Sequence, residues 1–512
     1  MIKPNVKPKQ LLLTTTVVAM MVLAAGCSDD YKYENEEPDF LGGSIYEYLE
    51  QQGNFKNYLR LVDDLDYGQV LSLTGSKTVF PADDDAFERF FQQNDYGVRS
   101  YDELSVAQKR QLLYSSMVNM SYLTNMLANT TPTESTTGEG VGLRRASQYT
   151  YLDSITFTRD AVQMEAPFWT RFQQKGIYLV DDDSSPYIIH FTPQHAVTNR
   201  LTDEDMQTIL GMADYNASTV YINGVRVKQQ DIVCKNGYVH IMEDVLTPNR
   251  NMSQLIASNP DTRLFNRLMN RFSAPYYNSE VAQAVHTLYD GSDVAHPLIQ
   301  DSVFVKHYFT EENHYDPTGS DMTNYGLLYY DPSQNNYSSL SDMGVMFVPT
   351  DMAMDEYING PRGKYLKDAY GAWENVPTAL VALFVKNHQK KSFMSSLPQM
   401  WPTMNDENSF AMNVSRSDVV SSHIASNGMV YVTNKVYPPI DYQSVYASVM
   451  TSENTRIMNW ALQDDDATMK FYLYLRSMEN MYNLLVPTDD ALQQYRDPVS
   501  WAIGKSARKI WA

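Results

Sequence analysis

VFPADDDAF, residues 79–87, decides how this chain is read. An apolar pair leads into a proline turn, three consecutive aspartates and a return to apolar residues. Three adjacent carboxylates invite a cation site, because hard cations such as calcium take oxygen ligands from clustered acids. The other reading is a buried strand, a tight turn and a helix with acids in its first turn. The phrase returns as MFVPTDMAM at 346–354 and as LLVPTDDAL at 484–492. With Ala86, Ala353 and Ala491 aligned, Val79/Phe80 match Met346/Phe347 and Leu484/Leu485. Asp83, Thr350 and Thr488 then share a position and are good N-cap residues. Asp84, Asp351 and Asp489 fall in the first helical turn, where a carboxylate interacts favourably with the helix dipole. The third acid, Asp85, becomes Met352 in the second copy, a loss that a metal site would not tolerate. The pattern therefore predicts three helix starts, each after a buried strand.

A second phrase also repeats. NGYVHIMEDVLTP (236–248) and NGMVYVTNKVYPP (427–439) align without a gap. Asn-Gly tolerates the positive φ of a tight hairpin turn. Val239, Ile241 and Val245 match Val430, Val432 and Val436, which predicts half-buried strands ended by Pro248 and Pro439. VYINGVRVKQQDIVC (220–234) and FAMNVSRSDVV (410–420) precede them and read as hairpin partners. Cys234 reads as a small buried hydrophobe, and His240, which becomes Tyr431 in the second copy, as a packing position. Helical spacing places Ile45, Leu49, Phe55, Tyr58 and Val62 on one face early in the chain, and Leu264, Phe265, Leu268 and Met269 on another.

An opening amphipathic helix, an apolar-P-T-D-x-A turn and a closing N-G-x-V-x-(I/V) strand, in that order and more than once, resemble the fasciclin domain. The resemblance implies an α+β fold of tandem fasciclin-like domains, each a β-sandwich or wedge with packed helices and a core of its own. The first would span 44–248 with an insertion at about 128–200, and the second 249–440 with an insertion at about 275–343. A third begins at 441 and runs to 512 without closing strands, which is expected of a fragment of a longer protein. Many fasciclin domains carry a tyrosine–histidine pair implicated in adhesion. Here QLLYSSMVNM offers Tyr114 without the histidine, and LVALFVKNHQ offers His388 without an adjacent tyrosine, so a mechanism resting on that pair does not carry over.

The formal charge of −21 over 512 residues excludes a nucleic-acid partner, which needs a basic face. At the N-terminus, Lys3, Lys7 and Lys9 precede an apolar stretch ending in L-A-A-G-C at 23–27. That ending resembles the lipobox of bacterial lipoproteins, with 1–26 as signal peptide and Cys27 as the lipidated mature N-terminus. A plain secretory signal or an uncleaved helix is the alternative. Residues 27–43 form an acidic, unpatterned tether containing Asp29, Asp30, Glu34, Glu36, Glu37 and Asp39. C-S-D-D resembles the export signal of surface-exposed Gram-negative lipoproteins, which implies the outer membrane, facing outward. Without that match, periplasmic retention stands equally.

No catalytic motif is present, and neither a cofactor nor a metal is expected. Four of the nine histidines, His286, His296, His307 and His314, lie in the second insertion. HYFTEENHYDP (307–317), with Glu311 and Glu312, is the best cation candidate, but its spacing fits no compact zinc pattern. Asp181–Asp183 precede S-S-P and read as a turn. The insertion also holds Tyr276, Tyr277, Tyr289, Tyr308, Tyr315, Tyr325, Tyr329, Tyr330 and Tyr337. Such tyrosines either stack on a ligand or pack the insertion onto the scaffold. Asp153-Ser154-Ile155 and Asp301-Ser302-Val303 resemble an O-glycosylation signal of surface lipoproteins. The expected function is a surface-anchored, non-enzymatic lipoprotein that mediates adhesion or binds a glycan, matrix component or protein. One alternative is an accessory lipoprotein of a SusC/SusD-type uptake complex with a TonB-dependent transporter. Another is a hydrolase using carboxylates, whose separation in space sequence does not show.

Overall fold

The helix starts are where the repeated aspartates place them. In this computed structural model, which describes residues 42–495 except 74, 133–136, 161–162, 164, 181–185, 290–302, 337–338, 464–470 and 477–480, helices run Asp84–Gln92, Asp351–Asn359 and Asp489–Gln494. Asp83, Thr350 and Thr488 cap them through Ala86, Ala353 and Ala491 N–H.

The first repeat opens with helices Ile45–Gln52 and Lys56–Asp64, then β1 (Lys77–Val79), the Asp84–Gln92 and Val106–Ser115 helices, and β2 (Met117–Val118). Its insertion supplies β3 (Arg144–Ala146), β4 (Thr156–Thr158), β5 (Ile177–Val180) and β6 (Tyr187–Phe191). The repeat closes with β7 (Tyr221–Ile222), β8 (Val225–Cys234) and β9 (Gly237–Met242). Helices Met252–Ser258 and Arg263–Asn270 open the second repeat, followed by β10 (Ser273–Tyr277) and β11 (Val303–Tyr308) in its insertion. Then come β12 (Gly344–Pro349), the Asp351–Asn359 and Thr378–Asn387 helices, β13 (Gln389–Lys390), β14 (Val419–Ala425) and β15 (Gly428–Thr433).

Two sheets share one arrangement. The order β2-β1-β9-β8 within a seven-stranded sheet, continued by β7-β6-β3, matches β13-β12-β15-β14. In each, the closing strand lies parallel to the strand before the aspartates and antiparallel to its hairpin partner. Even the register is kept: Val79 faces Val239 as Met346 faces Val430. The class is α+β, with the same unit built twice. Both unit-opening helices carry a capping box, Ser44 with Glu47 and Asn251 with Gln254, which satisfies two orphan N–H groups at once.

Three expectations change. First, β15 is buried along its whole length and β9 nearly so. They are central strands covered on both faces rather than half-buried ones. Second, only Val419 and Val420 of FAMNVSRSDVV enter β14, whose remaining residues follow that stretch. Third, Leu484–Pro487 form no strand, and Leu485 is 92% exposed. In the first two copies a closing strand covers this position; among the described residues the third copy has none.

The two insertions do not stand apart. They interleave in a four-stranded sheet of order β10-β11-β5-β4, with β11 parallel to β5 at Val303–Tyr178. Nor does each repeat keep to its own core. Met346, Val348, Val430 and Val432 turn to the second repeat's helices. Phe347, Tyr431 and Trp401 turn the other way and pack with Leu143, Phe191 and Tyr221 of the first repeat. Side chains alternate across a strand, so a sheet buried on both faces must find two partners. The second partner here is the other repeat, and the contacts do not divide the chain after Gly43. Among the described residues no helix is long and apolar enough to cross a membrane.

Candidate functional site

The repeated aspartates are joints. Asp83 accepts Ala86 N–H at 3.0 Å and Lys228 Nζ at 2.7 Å. Asp84 reaches across to a different helix and accepts Lys56 N–H at 3.1 Å and Asn57 N–H at 2.9 Å. Asp351 does the same for Leu264 N–H at 2.8 Å, and Asp489 for Arg456 and Ile457 N–H at 3.1 and 2.9 Å. The Lys56 and Arg263 helices receive no cap from their own N-cap residues, Phe55 and Thr262. The distant carboxylate supplies what they lack. The asparagines of the closing phrase repeat the device: Asn236 accepts Ile45 N–H and Asn427 accepts Met252 N–H, each at 2.9 Å. Among the described residues no three ligating side chains converge as a metal site would require.

The other singled-out residues have structural partners. His240 is buried against Phe80, as Tyr431 is stacked on Phe347. Its Nδ1 accepts Asp231 N–H, so its Nε2–H donates to the Tyr122 carbonyl. His388 is fully buried and lowered to about 4 by that burial, bonded to the Phe384 carbonyl and Tyr437 N–H. Ser116 holds its place in the first repeat: Phe80 N–H donates to the Ser116 carbonyl as Phe347 N–H does to that of His388. Burial raises the Cys234 thiol to about 11, so at neutral pH it is no nucleophile. His307 on β11 meets Asp331 at 3.2 Å, while His314 turns back to the Glu311 carbonyl. Ser154 is 3% exposed with its hydroxyl on the Tyr151 carbonyl, which closes it to glycosylation in the folded protein. Cys27, Asp29, Asp30, Asp181–Asp183, His296, Asp301, Ser302 and Tyr337, and the side chains of His286 and Tyr289, lie outside what is described.

Most of the described insertion tyrosines pack the fold. Tyr308 and Tyr330 are buried, Tyr325 sits among Phe168, Phe272 and Phe309, and Tyr329 lies beneath Lys386 and Lys391. Tyr276 is half-buried against His307. Tyr277 and Tyr315 are exposed. With Phe172 and Phe304, Tyr277 edges a shallow cleft of about 660 Å³ flanked by Arg171 and Lys175.

A larger cleft, about 1080 Å³, lies where the first repeat, its insertion and the second repeat meet. Its walls come from the Asp84–Gln92 and Val106–Ser115 helices, the 147–156 segment and the connector 244–251, and it reaches Asn335 and Ser426. The lining is rich in carboxamides, among them Gln93, Gln108, Asn223, Asn249 and Gln254, and holds Tyr96, Tyr149, Tyr151 and Tyr187. Its charges pair off: Arg89 with Asp244 at 2.7 Å, Arg250 with Asp95 at 2.8 Å, and Asp153 with Arg110 at 2.8 Å. Tyr96 Oη and Asn249 Nδ2 are buried there without a hydrogen-bond partner. Nothing in the sequence pointed to this site, because its walls are loops and helix ends brought together from far apart in the chain.

Comparison with known proteins agrees with the second repeated phrase. Residues 188–248 match the family model of the fasciclin domain. This fasciclin match runs from β6 to the residues just past β9, and includes the Asn-Gly turn and the closing strand. A FAS1 domain pair from the insect cell adhesion molecule fasciclin I is among the similar solved structures. It is 11% identical, with 78% of this chain and 97% of that chain covered and a TM-score of 0.20. No curated protein matches the chain.

Proposed function

We propose that this chain is a non-enzymatic binding protein, anchored in the outer membrane by lipid on Cys27 and presenting fasciclin-like modules outward to a glycan, matrix component or protein. The observation that carries the binding reading is the junction cleft, large, rich in carboxamides and charge-balanced. Adhesion and ligand binding are what the fasciclin match over 188–248 implies, and the anchor and address rest on the lipobox and acidic resemblances around Cys27. The insertion 275–343 is not the binding element on its own, since most of its described tyrosines pack the scaffold.

Two experiments test this. Fractionation of cells carrying Cys27→Ser should find the protein in soluble fractions, and retention in the membrane would remove the anchor. Pull-down from the bacterium's own outer membrane, paired with a glycan array, should return a specific partner. Co-purification of a TonB-dependent transporter would redirect the reading to an uptake complex, and multiple-turnover cleavage of any substrate would end it.

A further inference from the structure

We infer that the junction cleft binds a neutral oligosaccharide, an inference that rests on reading the chain as a binding protein. The first support is the pair of orphans. A buried polar atom without a partner destabilises a fold, and native structures keep few of them without a reason. Tyr96 and Asn249 both line this cleft, and Tyr96 Oη and Asn249 Nδ2, buried within its wall, have no partner among the described residues. The amide can only donate, while the phenol can donate or accept. A sugar hydroxyl, which does both, answers either atom.

Charge is the second support. In a chain of net −21, this cleft has its arginines and aspartates matched in pairs, two of them exposed at the surface and one buried. An anion would meet no unmatched cation, and a cation no unmatched carboxylate. What remains is uncharged hydrogen-bonding capacity. Asn223 and Gln254 each engage the side-chain oxygen with a backbone N–H and leave the NH₂ unengaged among the described residues. Gln93 is exposed on the same wall.

Shape is the third. Tyr96 and Phe90 form an edge-to-face pair at 5.8 Å, and Tyr149, Tyr151 and Tyr187 add aromatic surface of the kind on which sugar C–H faces lie. The volume of about 1080 Å³ is just above the roughly 300–1,000 Å³ typical of small-molecule sites, with room for more than one ring. An extended peptide would instead add to an open strand edge. Of the lining residues only Thr156, on the edge strand β4, offers one.

Calorimetric titration of the purified full chain with cellohexaose, maltohexaose, xylohexaose and mannohexaose, against polygalacturonate and an unrelated hexapeptide, tests the inference. At least one neutral hexasaccharide should bind, and the two controls should not. Tyr96→Phe and Asn249→Ala should each raise its Kd about tenfold or more, as losing one ligand hydrogen bond does. Both should leave the melting temperature unchanged or higher, because each removes an orphan, so weaker binding is not misfolding. Gln93→Trp should block the cleft from its exposed rim. Binding that ignores all three substitutions, preference for polygalacturonate or peptide, or no neutral oligosaccharide bound at all would each overturn the inference. A partner captured from the outer membrane equally well by Tyr96→Phe would overturn it too, while leaving the broader binding reading intact.

Discussion

Asp84, Asp351 and Asp489 each hold the start of a helix other than their own, and this sets what single substitutions should do. A lost N-cap costs about 0.5–2 kcal/mol. Asp84→Ala strips two backbone N–H groups of the Lys56–Asp64 helix, and Asp351→Ala one of the Arg263–Asn270 helix. Each should therefore lower unfolding free energy by about 1–2 kcal/mol in urea titrations. Asp85 is exposed in the same triplet and should change stability by less than about 0.5 kcal/mol when made alanine. Equal losses at 84 and 85 would show that the triplet acts through net charge, not through capping. Calcium gives the complementary check. A ligand that binds only the folded state raises the melting temperature, and here millimolar calcium should leave it where it is.

At the scale of elements, the sheet shared by the two insertions governs behaviour. Excising 275–343 removes most of β10 and all of β11 and leaves β5 with an open edge. The deleted chain should show new protease cleavage within 150–180, where an undisturbed scaffold would show none. The same sheet carries a titrating group. Burial lowers Lys306 on β11 to about 7, where its Nζ donates to Asn270 at 2.7 Å. The unfolded chain protonates a lysine near about 10.4. Between those values unfolding takes up a proton, so this residue makes stability rise with pH across that window, and its contribution is flat below it. Lys306→Met should remove the slope, so that wild type gains about 2 kcal/mol over the variant between pH 7.5 and 9.5. A constant difference would mean that Lys306 stays charged in the fold. How much of this was legible follows from distance along the chain. The helix starts could be read because Asp83, Thr350 and Thr488 cap residues three positions away. The partners of Asp84 and Asp351 could not, being 28 and 87 residues distant in the chain. Pairing of β11 with β5 leaves no local mark, and neither does a cleft walled by Tyr96 and Asn249.

From Gly43 onward the two repeats pack as one unit where the sequence suggested beads on a string. Trp401 is 1% exposed, its ring 5.7 Å from Phe347 and 5.0 Å from Tyr431, its Nε1–H on the Ser396 carbonyl at 2.8 Å. The cluster around it takes Leu143, Ile189 and Phe191 from the first repeat's insertion. Arg416 of the second repeat also pairs with Asp205, whose carboxyl is nearly inaccessible, in the first. Removing a buried tryptophan costs about 3–5 kcal/mol. If the repeats were independent, Trp401→Ala would lower one calorimetric transition and leave another in place. Because the cluster belongs to both, unfolding of the two repeats should be a single transition in wild type. The substitution should lower that transition as a whole. A fragment holding only the second repeat would expose Phe347, Tyr431 and Trp401 together, and should be recovered as aggregate or bind a hydrophobic dye. Two resolved transitions, with only the upper or only the lower shifted by Trp401→Ala, would show that each repeat carries its own stability and that the shared cluster is merely a contact between finished domains.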